Sequence, residues 1–68
     1  MNIEINHSST ESKVTLKDDY GYIFGHKYFV SRTHKSKATQ AYEELSERLS
    51  NYGIAAAIES WEKIPAFN

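Results

Sequence analysis

One segment does most to limit what this chain can become: Ser36 to Tyr52, SKATQAYEELSERLSNY, with Gly53 just past its end. Ala38, Ala41, Tyr42, Leu45, Leu49 and Tyr52 recur at intervals of three and four, which lines them up on one face of a helix. Gln40, Glu43, Glu44, Glu47 and Arg48 fall mostly on the other side and suit water. Glu44 and Arg48 stand four apart in the favourable order for an ion pair. Ser36 or Thr33 suits the N-cap. Gly53 suits the left-handed residue that ends a helix, with Ile54 then folding back towards Leu49. Lys35 and Lys37 sit at the positive end of the dipole, where acids are favoured, so the helix start attracts anions.

The flanking segments are short and strand-like. Residues 1–7 alternate Ile3 and Ile5 with polar neighbours, and residues 1–12 read either as an edge strand with its loop or as a loose arm. Lys13 to Lys17 alternates as a strand with Val14 and Leu16 inward. Asp18-Asp19-Tyr20-Gly21 has turn composition. Tyr22 to Ser31 reads as one strand kinked or bulged at Gly25. The other reading is a hairpin turning at Gly25-His26, and the single strand is preferred. Ile54 to Glu62 alternates again and reads as a final strand, although three alanines are poor strand formers and a helix restarting directly after Gly53 is the alternative. Pro65 blocks further ladder pairing. The expected fold is a single α+β domain over residues 1–68. It has a small antiparallel or mixed sheet of three to four strands and one helix on one face, in the order β-β-α-β with an optional extra N-terminal strand. The right-handed crossover rule makes the last strand parallel to the one before the helix.

A chain of 68 residues has a small core. It has no cysteine, so no disulfide can reinforce it. His7, His26 and His34 lack the spacing of a metal site. Asp18 and Asp19 are explained by the turn, and no Gly-rich phosphate loop is present. These observations predict no catalytic, cofactor-binding or metal-binding residues and a protein that is not an enzyme. No apolar run is long enough for a membrane span, and the N-terminal MNIEINHSS lacks the pattern of a signal peptide. The expectation is a soluble, cytoplasmic protein without a membrane partner.

One helix shelters one sheet face, yet Tyr20, Tyr22, Phe24, Tyr28, Phe29 and Trp61 are too many aromatics for that face alone. Exposed aromatic clusters anchor protein interfaces. The leading expectation is a protein-binding domain, an inhibitor or adaptor of the type that phages and other mobile elements encode. Tyr22, Tyr28 and Trp61 are its candidate anchors, and Glu43, Glu44 and Glu47 its charged rim. The net charge of −1 argues against bulk nucleic-acid binding. The stretch His26 to Lys37 nevertheless carries Lys27, Arg32, Lys35 and Lys37 with no acid. Those four residues, with the sheet aromatics, form the alternative reading of a nucleic-acid-binding module. The aromatic strand lacks the order of residues typical of RNA-recognition domains. A homodimer joined through open sheet faces is compatible with either reading.

Overall fold

The structure is a computed structural model and describes residues 1–67. Its elements follow in the order β1 (Asn2–His7), β2 (Ser12–Lys17), β3 (Ile23–Phe29), α1 (His34–Tyr52) and α2 (Ile54–Lys63). This is a small α+β domain in which a three-stranded antiparallel sheet, β1-β2-β3, carries two packed helices. The expected order β-β-α-β and the single helix are therefore corrected to β-β-β-α-α. The N-terminal segment is a full strand that pairs residue for residue with β2, from Asn2 opposite Lys17 to His7 opposite Ser12.

The final strand expected over Ile54 to Glu62 is α2. The segment IAAAIESW satisfies both periods: alternation reads it as a strand, while Ala57, Trp61 and Ile64 recur at four and three as a helix stripe. Ala57 and Trp61 are buried, and Ile58 and Ile64 pack against the core. Alanine's high helix propensity decides between the two. Gly53 makes the junction at φ +92 and ψ −174, a region almost confined to glycine. Its N–H donates to the Leu49 carbonyl at 3.1 Å, and its own carbonyl accepts from Ala57 at 3.2 Å, so one residue ends α1 and starts α2. The ψ value differs from the left-handed helical geometry expected for a C-cap. At the other end, α1 begins at His34 with Thr33 as N-cap; the Thr33 side chain accepts no capping hydrogen bond, and Ser36 lies inside the helix.

The core lies between the sheet and the helices and is built from Val14, Leu16, Phe29, Ala38, Leu45 and Trp61. Cross-strand register assigns the sides. Val14 and Leu16 face the helices together with Ile5 and Ile3 on β1 and with Lys27 and Gly25 on β3. The Trp61 indole lies against Gly25, where an added Cβ would stand 3.6 Å from the ring. β3 is a single strand, and its irregularity lies beside Gly25: Leu16 is opposite Gly25 and Lys17 opposite Ile23, so Phe24 is the extra residue. After α2 the chain returns to the sheet edge. Tyr28 N–H donates to the Ala66 carbonyl at 2.9 Å, and Phe67 makes a parallel bridge with Tyr28. The parallel return predicted for a last strand is thus reduced to one bridge, made beyond Pro65.

Candidate docking surface

Both helices lie on one side of the sheet, so the other face is open. Alternation places Asn2, Glu4 and Asn6 of β1, Lys13, Thr15 and Lys17 of β2, and His26 and Tyr28 of β3 on it. Thr15, in the middle strand, is buried among its neighbours and shares a hydrogen bond with His26 Nδ1 at 2.8 Å. The Tyr28 ring lies 6.1 Å from His26 and stacks on Phe67 at 5.4 Å, which leaves it half-buried. Lys17 pairs with Glu4 at 3.0 Å. A shallow recess of about 260 Å³ at one end is lined by Asn6, His7, Ser8, Glu11, Lys13 and Tyr28.

Among the described residues, four of the eight exposed large apolar side chains cluster at the opposite end, in the β2–β3 turn and the start of β3. Tyr20 is 89 % exposed, Tyr22 75 %, Ile23 53 % and Phe24 59 %. These side chains stand on or beside a turn with fixed geometry. The Asp18 carboxylate accepts from the N–H groups of Tyr20 (2.8 Å) and Tyr22 (2.9 Å). Asp18 N–H donates to the Tyr22 carbonyl at 2.9 Å and Gly21 N–H to the Asp18 carbonyl at 3.3 Å. Gly21 supplies the φ of +90 that the turn requires. The N-terminal ammonium pairs with Asp19 and ties the start of β1 to the same turn.

The residues singled out from the sequence are dispersed. Tyr22 is in the exposed turn. Tyr28 is on the open face. Trp61 is 7 % exposed and belongs to the core. Glu43, Glu44 and Glu47 are exposed on α1, which lies on the helix side of the sheet. Glu44 and Glu47 border a shallow recess of about 290 Å³ with Arg48 and Tyr52. The Arg48 guanidinium lies 6.0 Å from the Tyr52 ring, where a pair with Glu44 was expected. Of the basic set, Lys27 Nζ sits 5.1 Å over the Trp61 ring on the helix side, while Arg32, Lys35 and Lys37 are exposed around the start of α1. No group of residues among those described could hold a metal ion.

Two features escape a reading of the sequence alone. One is the concentration of Tyr20, Ile23 and Phe24 beside Tyr22, whose only signal is four large apolar residues in and just after a turn. The other is a polar knot in which Ser12 Oγ, fully buried, contacts His7 Nδ1 at 2.6 Å and His34 Nδ1 at 2.7 Å. It joins the end of β1, the start of β2 and the first turn of α1. Because Ser12 is inaccessible, the arrangement offers no nucleophile and works as a structural tie.

No helix among the described residues is long and apolar enough to cross a membrane. Compared with protein-family models, with curated proteins and with solved structures, the chain matches none of them.

Proposed function

We propose that this chain is a non-enzymatic docking domain, an inhibitor or adaptor whose anchor is the β2–β3 turn. The occupant of that surface is a protein with an apolar cleft that receives Tyr22 and Phe24, with Tyr20 and Ile23 against its rim. The supporting observation is that these four large apolar side chains project from a turn and the strand start beside it, and that the turn is already fixed by four hydrogen bonds around Asp18, two to its carboxylate and two between backbone groups. Association is opposed by the cost of ordering loops and side chains. A turn held in one conformation before contact reduces that cost, and aromatic residues supply large contact area. Tyr28 and Phe67 extend the apolar surface along β3. Trp61 acts indirectly, by supporting β3 from beneath. Glu43, Glu44 and Glu47 lie on the helix side of the domain and belong at most to the periphery of such an interface.

The experiment compares proteins retained by the wild-type chain with those retained by Tyr22→Ala and Phe24→Ala, followed by affinity measurement for the protein that differs. Truncating a central anchor weakens binding by about 2 kcal/mol or more, and a peripheral glutamate by about 1 kcal/mol or less. Equal, small losses at Tyr20, Tyr22, Phe24 and Glu44 would reject the turn as the anchor. A steep log-linear loss of binding with salt would instead indicate a phosphate-bearing partner.

A further inference from the structure

We propose that β1 pairs edge to edge with β1 of a second copy of this chain, antiparallel about a two-fold axis, with Ile5 opposite Ile5 of the other copy. The two edges of the sheet are treated differently. The β3 edge is interrupted: it is covered at Tyr28, whose N–H donates to Ala66 and which Phe67 bridges, and the strand carries a register shift. The β1 edge has none of this. Among the described residues, 2–7 make no backbone hydrogen bond outside their ladder with β2. An uncovered edge strand is a template for another strand unless proline, lysine, a bulge or a covering segment blocks it. β1, NIEINH, carries none of these, and the charge of its acid, Glu4, is met by Lys17 at 3.0 Å.

The ladder fixes which groups are free. Ser8 N–H donates to the Glu11 carbonyl at 2.7 Å, which makes His7–Ser12 a non-hydrogen-bonded pair. Antiparallel pairs alternate. Asn2, Glu4 and Asn6 therefore bond to β2, while the N–H and C=O groups of Ile3, Ile5 and His7 point outward. The same alternation, carried across β2, turns the Tyr28 backbone away from β2, as its bond to Ala66 requires.

The register follows from face and charge. Cross-strand partners share a face, so a slip of one residue would set isoleucines against polar residues. Two in-face registers are centred on β1. One sets Glu4 opposite Glu4 of the second copy, a like-charge pair. The other sets Ile5 opposite Ile5, Ile3 opposite His7 and Glu4 opposite Asn6. In this register Glu4 looks across Asn6 of the second copy towards that copy's Lys13, which lies opposite Asn6 in its own sheet and has no carboxylate partner among the described residues. Charge complementarity selects this arrangement. The result is a six-stranded sheet with all four helices on one side and the half-buried Ile3 and Ile5 joined into one apolar layer. A contact of this length falls below the roughly 1,600 Å² of a standard interface, so the dimer is weak and concentration-dependent.

The test is the molar mass of the full chain by sedimentation and light scattering across a concentration series, with Asn6→Glu and Asn6→Lys beside wild type. Asn6 is exposed and neighbours Lys13 on the open face, so neither change touches the core. The expected result is a concentration-dependent dimer. Asn6→Glu raises its dissociation constant roughly three- to thirty-fold, because the symmetry creates two like-charge pairs, and Asn6→Lys lowers it. Amide exchange at Ile3, Ile5 and His7 slows as concentration rises. A monomer at millimolar concentration overturns the proposal. So does a dimer indifferent to both Asn6 variants whose Ile3, Ile5 and His7 amides exchange freely.

Discussion

Replacing Ser12 by alanine tests how the α1 N-terminus is fastened to the sheet. Ser12 Oγ links His7 on β1 to His34 on α1, at 2.6 and 2.7 Å. A hydroxyl has one proton, so Oγ donates to one imidazole Nδ1 and accepts from the other. The variant loses both bonds, but unequally. His7 is exposed, and water replaces the lost partner, so that bond contributes about 1 kcal/mol or less. His34 is 6 % exposed and leaves a buried nitrogen without a partner, which costs about 1–3 kcal/mol. The expected loss is about 2–3 kcal/mol. A domain of this size has a total stability of about 3–10 kcal/mol, and each kcal/mol moves Tm by about 4–8 °C. Urea unfolding should show a lower midpoint with an unchanged slope, because the native surface is the same. Ser50→Ala, on the exposed side of α1, is the control and should stay within about 0.5 kcal/mol. A double-mutant cycle of Ser12→Ala with His34→Ala should return a coupling of about 0.5–3 kcal/mol. If Ser12→Ala unfolds within 0.5 kcal/mol of wild type, or if the cycle is additive, the knot does not fasten the helix and the reasoning fails.

Trp61→Ala should cost about 3–5 kcal/mol, comparable with the whole stability of the domain, and circular dichroism should find it largely unfolded at 37 °C. Gly53→Ala places a Cβ at φ +92 and should lower stability by about 1–3 kcal/mol without changing helix content, as read by urea titration. Gly25→Ala, where the added methyl meets Trp61 at an ordinary 3.6 Å, should be neutral or stabilise by up to about 1 kcal/mol; a loss above 1 kcal/mol would show that the indole sits closer. Tyr22→Ala should leave the unfolding midpoint within the equivalent of about 0.5 kcal/mol, because the ring contributes to a surface and not to the core.

The sequence revealed α1 because its stripe has a single period: Ala38 and Leu45 are buried, and Ala41 and Leu49 half-buried. Even there Tyr52, the last member of the stripe, is 72 % exposed. α2 was hidden because its apolar residues fit two periods, and propensity was outweighed by alternation. Reading α2 as a strand changes the topology, since with the optional N-terminal strand it converts β-β-β-α-α into β-β-β-α-β. It also misplaced Trp61, which as a strand residue would have faced outward with the other aromatics. The knot of His7, Ser12 and His34 carries no local signal, because its members are 5 and 22 residues apart and meet only through the fold.

The second helix alters the argument about coverage. Had the extra element covered the bare face of the sheet, the aromatics would have been enclosed on both sides. It packs instead against α1 and sends Trp61 under β3, so both helices serve the same face. Only the tail reaches across, and it covers Tyr28 and the β3 edge alone. On the sheet, what remains bare is of two chemical kinds, side chains around the Asp18 turn and backbone at the β1 edge, while Tyr52 and Ile54 are exposed separately at the junction of the helices. The two surfaces respond to different perturbations. Truncating Phe24 removes contact area and leaves the β1 ladder intact, whereas Asn6→Glu alters the edge register and leaves the turn untouched. A binding activity lost in the first variant and retained in the second belongs to the turn, and self-association with the reverse pattern belongs to the edge. If both activities vanish together in either variant, the two surfaces are one, and the geometry that separates them here is not the geometry the protein uses.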